Sequence, residues 1–209
     1  MKKERDNKAL WNHYAGFYDF EINRFSGRAY SEMYRMMAAS LTSDMDVLEV
    51  ATGTGLIATH IAGHVRQMFA TDYSPKMIKA ASRKKAADNI CFSLEDATAL
   101  SFGDAAFDAV IICNALHVMP DPILVLSNIS RVLKPKGLLI APSYTHGHIS
   151  DIVWNRNVRF LKWFGFESGT RWTPDEYVAF IRQNDFDVKT WQVLRAAFPL
   201  VYLEANKKD

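Results

Sequence analysis

Short apolar runs alternate with helix-starting signals along residues 46–144, and that alternation decides the fold class. The runs are DVLEV (46–50), VRQMFATD (65–72), NICFSLED (89–96), FDAVIICN (107–114) and LLIAPSY (138–144). The fourth is nearly continuous in apolar residues, as expected of a central parallel strand buried on both faces. One helical stretch follows Gly55 and is closed by Gly63 at an expected C′ position. Two more begin at Ser74-Pro75 and Asp121-Pro122, each a capping side chain before a proline at the first helical position. LKPKG (133–137) reads as a turn. Strands separated by helices indicate an α/β domain with a parallel sheet. After residue 144 the pattern changes. Residues 150–165 read as an aromatic-rich helix, and Thr173-Pro174-Asp175-Glu176 as a capping box opening a helix to about Asn184. Residues 186–206 read as two strands joined near Ala196–Ala197, antiparallel because so short a turn cannot host a crossover helix. The first 43 residues read as helical.

The 209 residues suit one domain. Lys plus Arg is 25 and Asp plus Glu 23, a formal charge of +2, which argues against a dedicated nucleic-acid binder. Cys91 and Cys113 each lie inside an apolar run with no Cys-x-x-Cys, so a reducing cytoplasm is expected. No apolar run approaches the roughly 20 residues of a membrane-spanning helix. MKKERDNKAL carries charge with no apolar stretch behind it, so a secretory signal is not expected.

The first strand runs into VLEVATGTG (47–55). Glycines here let backbone N–H groups approach a ligand, and the following helix offers its positive end. The second run ends at Asp72, where a carboxylate can accept two hydrogen bonds from a ribose diol; the plainer reading is an Asx turn before Ser74. The third ends in Glu95-Asp96-Ala97 and the fourth in Asn114, so polar residues stand at the carboxyl ends of four strands, where open α/β sheets bind ligands.

These stretches together resemble the class I S-adenosylmethionine-dependent methyltransferases. The matching segments are VLEVATGTG, TDYSPKMI (71–78), LEDATALSFGDAAFDAVI (94–111), CNALHVMPDP (113–122) and RVLKPKGLLI (131–140), in the family's order over about residues 44–145. The branch they resemble most acts on small molecules and lipids, such as quinone precursors and phosphatidylethanolamine. The resemblance implies a Rossmann-like seven-stranded sheet ordered 3-2-1-4-5-7-6, with strand 7 antiparallel. It implies a single domain 1–209: an N-terminal helical cap (1–43), a cofactor-binding core (44–145), substrate-side helices (146–185) and a C-terminal hairpin (186–206). It implies S-adenosylmethionine as cofactor and S-adenosylhomocysteine as product. Ala51, Gly53 and Gly55 would form the turn under the methionine part, organised by Glu49. Asp72 would bind the ribose hydroxyls, Tyr73 and Met77 would flank the adenine, and Asp96 would accept from the adenine amino group beside the N–H of Ala97. Asn114 would lie near the ammonium. The family commonly has glycine where this chain has Ala51, which is acceptable if its φ is negative.

A nicotinamide-dependent reductase is the competing reading of such a sheet. Its G-x-G-x-x-G fingerprint is absent, since the spacing here is A-x-G-x-G. A non-catalytic S-adenosylmethionine-binding protein of the same fold is the other. Methyl transfer from a sulfonium is an in-line displacement served by positioning, and a base is needed only if the nucleophile must lose a proton. His117, just past the fourth strand, is the candidate base, or else a packing histidine. His60 and His64, four apart on a helix, suit either a metal or a solvated face, and no convincing metal site results. His146 and His148 read as an exposed loop at the pocket edge. Tyr14 and Tyr18 share a helix face and would either cover the sulfonium or pack in the core. Trp154, Phe160, Trp163, Phe164 and Phe166 would line an acceptor pocket, form a dimer patch, touch a membrane surface or simply be core. Arg156 and Arg159 would bind an anionic acceptor group or lie on a solvated face. The expected partner is a small or lipid-like acceptor and no nucleic acid, in a monomer or homodimer.

Overall fold

The computed structural model describes residues 11–12, 18–84, 87–145, 170–196 and 199–208. A long helix α1 (Tyr18–Ser40) precedes an alternating run: β1 (Asp46–Val50), α2 (Leu56–Ile61), β2 (Gln67–Asp72), α3 (Pro75–Ala81), β3 (Ile90–Leu94), β4 (Phe107–Ile112), α4 (Pro122–Val132) and β5 (Leu133–Ile140). Then come β6 (Ser143–Tyr144), α5 (Pro174–Gln183), β7 (Phe186–Leu194) and β8 (Leu200–Lys207). The expected aromatic helix of 150–165, with Trp154, Arg156, Arg159, Phe160, Trp163 and Phe164, lies outside the described residues, as do Phe166, His146 and His148.

The strands make one sheet. β3, β2, β1, β4 and β5 are parallel neighbours in that order; β8 pairs antiparallel with β5, and β7 lies beyond it. This is the expected order with an antiparallel closing hairpin. The count rises to eight because the fifth run breaks at Ala141-Pro142 and resumes as β6. Both pieces pair with β8, Ile140 opposite Glu204 and Ser143 opposite Val201. LKPKG is taken into β5 as an irregularity rather than standing before it. Phe107 pairs with Leu133 and Ala109 with Leu138, so the residues between bulge outward.

Local chemistry sets the helix starts. Ser74 Oγ accepts from Met77 N at 3.2 Å and Asp121 Oδ1 from Leu124 N at 2.9 Å. The Thr173–Glu176 capping box is complete. Gly63 does not close α2 by a left-handed cap; the helix tightens into a 3₁₀ turn, Ala62–His64.

Side chains alternate across the sheet as the pleat requires. Leu48, Val50, Val110 and Ile112 join α4 and α5 residues such as Leu126, Ile129, Tyr177 and Ile181 in one apolar layer. Val47, Ala109 and Ile111 join Met33 and Met37 of α1 and Ile57 and Ile61 of α2 in the other. Helices therefore cover both faces, leaving the carboxyl ends of the parallel strands to carry polar chemistry.

Candidate cofactor site

The turn after β1 is a run of alternating conformations. Ala51, Gly53 and Gly55 have φ of 56°, 57° and 74°. Thr52 and Thr54 between them are buried, 5% and 2% exposed. Ala51 thus does not meet the condition of a negative φ: it adopts the left-handed region, as do Gly53 and Gly55, and the three alternate with the two inward-turned threonines. Gly55 is required for a second reason, since a Cβ there would stand 2.9 Å from Phe92 Cε1.

Glu49 is bonded to this turn and to α2 after it. Its Oε2 accepts from Thr52 Oγ1 at 2.6 Å and from Ala58 N at 3.0 Å. Burial pushes its carboxyl up to about 8, against those two hydrogen bonds. Asp72 works from the neighbouring strand. Oδ2 accepts the Gly53 N–H at 2.8 Å and Oδ1 the Ser74 N–H at 2.8 Å. The Asx turn therefore exists, and the same carboxylate also ties β2 to the glycine turn. Burial raises its pKa despite the backbone donors. The Tyr73 N–H donates to it as well; a carboxylate accepts at about four positions, so capacity for a ribose hydroxyl remains.

Asp96 is exposed, and both Thr98 N (2.8 Å) and Thr98 Oγ1 (2.7 Å) donate to its Oδ1. Among the described residues nothing donates to Oδ2, which suits an acceptor for an amino group. Ala97 is half-buried against the apolar layer. Tyr73 is 47% exposed, whereas Met77, on the buried face of α3, is 2% exposed, so of the two only Tyr73 presents an open face.

Asn114, at φ 52°, uses its side chain within the protein. Nδ2 donates to Tyr30 Oη at 2.9 Å, and Oδ1 accepts from Tyr144 N at 2.8 Å. That leaves its backbone carbonyl rather than its amide for a ligand. His117 sits in a 3₁₀ turn (Leu116–Val118), with Nδ1 3.3 Å from the buried Ser143 Oγ. Burial lowers its imidazole to about 4, so it is neutral at pH 7 and a weaker base than an ordinary histidine.

Three contributors were not singled out by the sequence. Thr54 Oγ1 donates to Asp19 of α1 and accepts from Lys84 Nζ at 3.3 Å, while Lys84 Nζ lies 2.6 Å from Asp19 Oδ2. The T-G-T-G alternation was a legible signal for Thr54; nothing local marks Asp19 or Lys84. Tyr14 lies outside the described residues, as does the side chain of Tyr18.

Elsewhere the candidates disperse. His60 stacks on Tyr34 (centroids 4.2 Å, 12° between planes) with Nδ1 2.7 Å from Leu56 O. No group of three or more His, Cys, Asp or Glu side chains able to hold a metal occurs among the described residues. A cleft of about 540 Å³, lined by Lys136, Asp187, Lys189, Asn206, Lys207 and Lys208, opens at the opposite end of the sheet from the glycine turn.

The glycine turn, the acids and the strand order have counterparts in known proteins. Residues 48–141 match the family model of a methyltransferase domain. The chain is 38% identical over 100 residues to a demethylmenaquinone methyltransferase of Renibacterium salmoninarum, covering 48% of this chain and 41% of that protein. It is 32% identical over 141 residues to the demethylmenaquinone methyltransferase of Porphyromonas gingivalis, covering 63% and 57%. The matches thus span less than two thirds of these relatives' length. A putative methyltransferase solved in complex with the Haloferax volcanii activator Trm112 shares the fold at a TM-score of 0.82 and 17% identity, covering 98% of both chains. With that sheet and that turn around it, the stretch 48–141 is similar to a methyltransferase domain, and the chain shares its fold with the solved putative methyltransferase.

Proposed function

We propose that the protein transfers a methyl group from S-adenosylmethionine to a small, apolar, lipid-like acceptor, a quinol-type ring being the first class to try. The observation that carries this reading is the glycine turn joined to Asp72: three alternate residues at positive φ, with the Gly53 N–H locked to the acid at the end of β2. The residues fit the cofactor. Asp72 retains acceptor capacity for a ribose hydroxyl, Asp96 Oδ2 for the adenine amino group, and the Asn114 carbonyl for the ammonium. The bound cofactor supplies an electrophilic methyl carried on sulfur. The chain's own part is to hold that methyl in line with the acceptor and to keep water out. His117 stands beside β6 as a neutral imidazole able to accept a hydrogen bond. The quinol class is supported by the names of the two curated relatives. No described helix is long and apolar enough to cross a membrane, and a cytoplasmic place is part of this proposal.

Calorimetry tests the cofactor reading. The chain is expected to bind S-adenosylhomocysteine and not NADH, and Asp72→Ala to weaken that binding by about tenfold or more, as loss of charge-assisted hydrogen bonds predicts. No binding of S-adenosylhomocysteine overturns the reading. A methyl-transfer screen over quinols, ethanolamine lipids, amines and thiols then tests the acceptor. With an accepted substrate, kcat/KM is expected to show no inflection near the ordinary histidine value of 6.5, because His117 is already neutral there. Full turnover by His117→Ala removes it from any base role.

A further inference from the structure

Asp19, Thr54 and Lys84 come from three separate places: α1, the glycine turn, and the segment after α3. Each touches the other two. Both carboxylate oxygens of Asp19 are engaged, Oδ1 by the Thr54 hydroxyl and Oδ2 by the Lys84 ammonium 2.6 Å away. The same hydroxyl accepts from Lys84 at 3.3 Å, which closes the triangle. A second tie lies beside it: Asn12 Oδ1 accepts from Ser74 Oγ at 2.7 Å and from Lys76 N at 3.4 Å. The N-terminal segment is thus bonded to the turn after β1 and to the turn after β2. Those are the two turns that Asp72 joins.

The two ends of α1 are held by different chemistry. Met33 and Met37, fully buried, anchor its later turns in the apolar layer. At Asp19 the tie is polar and partly wet, with the Lys84 and Asp19 side chains 26% and 36% exposed. An apolar anchor holds in any salt, whereas a charged and partly exposed one weakens as salt rises. Among the described side chains of α1, Asp19 makes the polar, partly exposed tie, the kind at which local opening costs least.

We propose that Asp19, Thr54 and Lys84 act as a polar clasp, positioning the N-terminal helix against the glycine turn and thereby setting how slowly the cofactor leaves. The inference rests on the cofactor reading above. A ligand leaving the turn must wait for the clasp to open, and because the clasp is also closed in the free chain, weakening it raises the dissociation rate and the association rate together.

The test follows release of S-adenosylhomocysteine from the whole chain at low and high ionic strength. Asp19→Asn keeps an acceptor for Thr54 but loses the charge. Lys84→Met loses charge and donor from a partly exposed position, so neither change threatens the core. Each is expected to speed release about three- to tenfold at low salt, the scale of one typical net hydrogen bond, since the pair is partly exposed. The double variant is expected to release no faster than the faster single one, because both remove one shared interaction. Release from the parent is expected to quicken with salt while Lys84→Met stays flat, which a merely structural role would not produce. Parent-rate release in either single variant, additive effects in the double, or a parent rate indifferent to salt overturns the clasp. A parent chain that does not hold S-adenosylhomocysteine overturns the cofactor reading, and the clasp with it.

Discussion

Ala51 and Gly55 occupy the same kind of backbone, at φ 56° and 74°, with opposite consequences for substitution. A Cβ in the left-handed region costs about 1–2 kcal/mol, and Ala51 carries that cost. Ala51→Gly removes it but adds about 0.5–1 kcal/mol of unfolded-state entropy. A net gain of at most about 1.5 kcal/mol is therefore expected from denaturant unfolding, with binding of S-adenosylhomocysteine retained. Gly55→Ala gains no such relief. Its new methyl would meet Phe92 Cε1 at 2.9 Å and Ala81 Cβ at 3.1 Å, so a loss of about 1–3 kcal/mol is expected by the same measurement. An Ala51→Gly chain less stable than the parent, or a Gly55→Ala chain as stable, would show that the turn is not built this way. The spacing of this turn was legible in the sequence; its conformation was not. Alanine at position 51 was acceptable on condition of a negative φ, and that condition is not met; Thr52 and Thr54 beside it turn inward to partners at Glu49 and Asp19, contacts that no local pattern encodes.

Helices announced themselves more clearly than strands. α3, α4 and α5 each begin with a capping side chain and a proline, information contained in four consecutive residues. Thr173→Ala removes one half of a reciprocal pair. It should cost about 1 kcal/mol, seen as a lower thermal midpoint with unchanged far-ultraviolet spectrum at room temperature. No change would mean that packing of Tyr177 and Ile181 alone holds the start of α5 in place. The strand irregularities were illegible for the complementary reason. The break at Ala141-Pro142 and the bulge before Leu138 are set by partners far along the chain, β8 in one case and β4 in the other. Asn114 shows the same limit in the site: its amide is taken up by Tyr30, 84 residues earlier, through a contact that no local pattern encodes.

Across the whole molecule, two buried titratable groups pull stability in opposite directions with pH. Glu49 is raised by burial from 4.5 to about 8. The folded chain then holds a proton that the unfolded chain has released. Its contribution is full below 4.5 and falls as pH rises toward 8. His117 is lowered by burial from 6.5 to about 4, so its contribution is full above 6.5 and is lost as pH falls through 4. Between 4.5 and 6.5 the two slopes oppose each other. Above that, His117 no longer opposes Glu49, and the Glu49 proton should make stability decline from pH 6.5 to 8 by no more than about 1.4 kcal/mol per pH unit, the limit for one proton. Glu49→Gln keeps an oxygen for Thr52 Oγ1 and Ala58 N and has no proton to lose. Denaturant unfolding of this variant should therefore be flat over the same range. A parent chain with no such decline would mean that Glu49 ionises in the fold, and the buried carboxyl under the glycine turn would then be an anion beside Asp72. A decline that persists in Glu49→Gln would assign the slope to another group and leave the charge state of the turn unexplained by its burial.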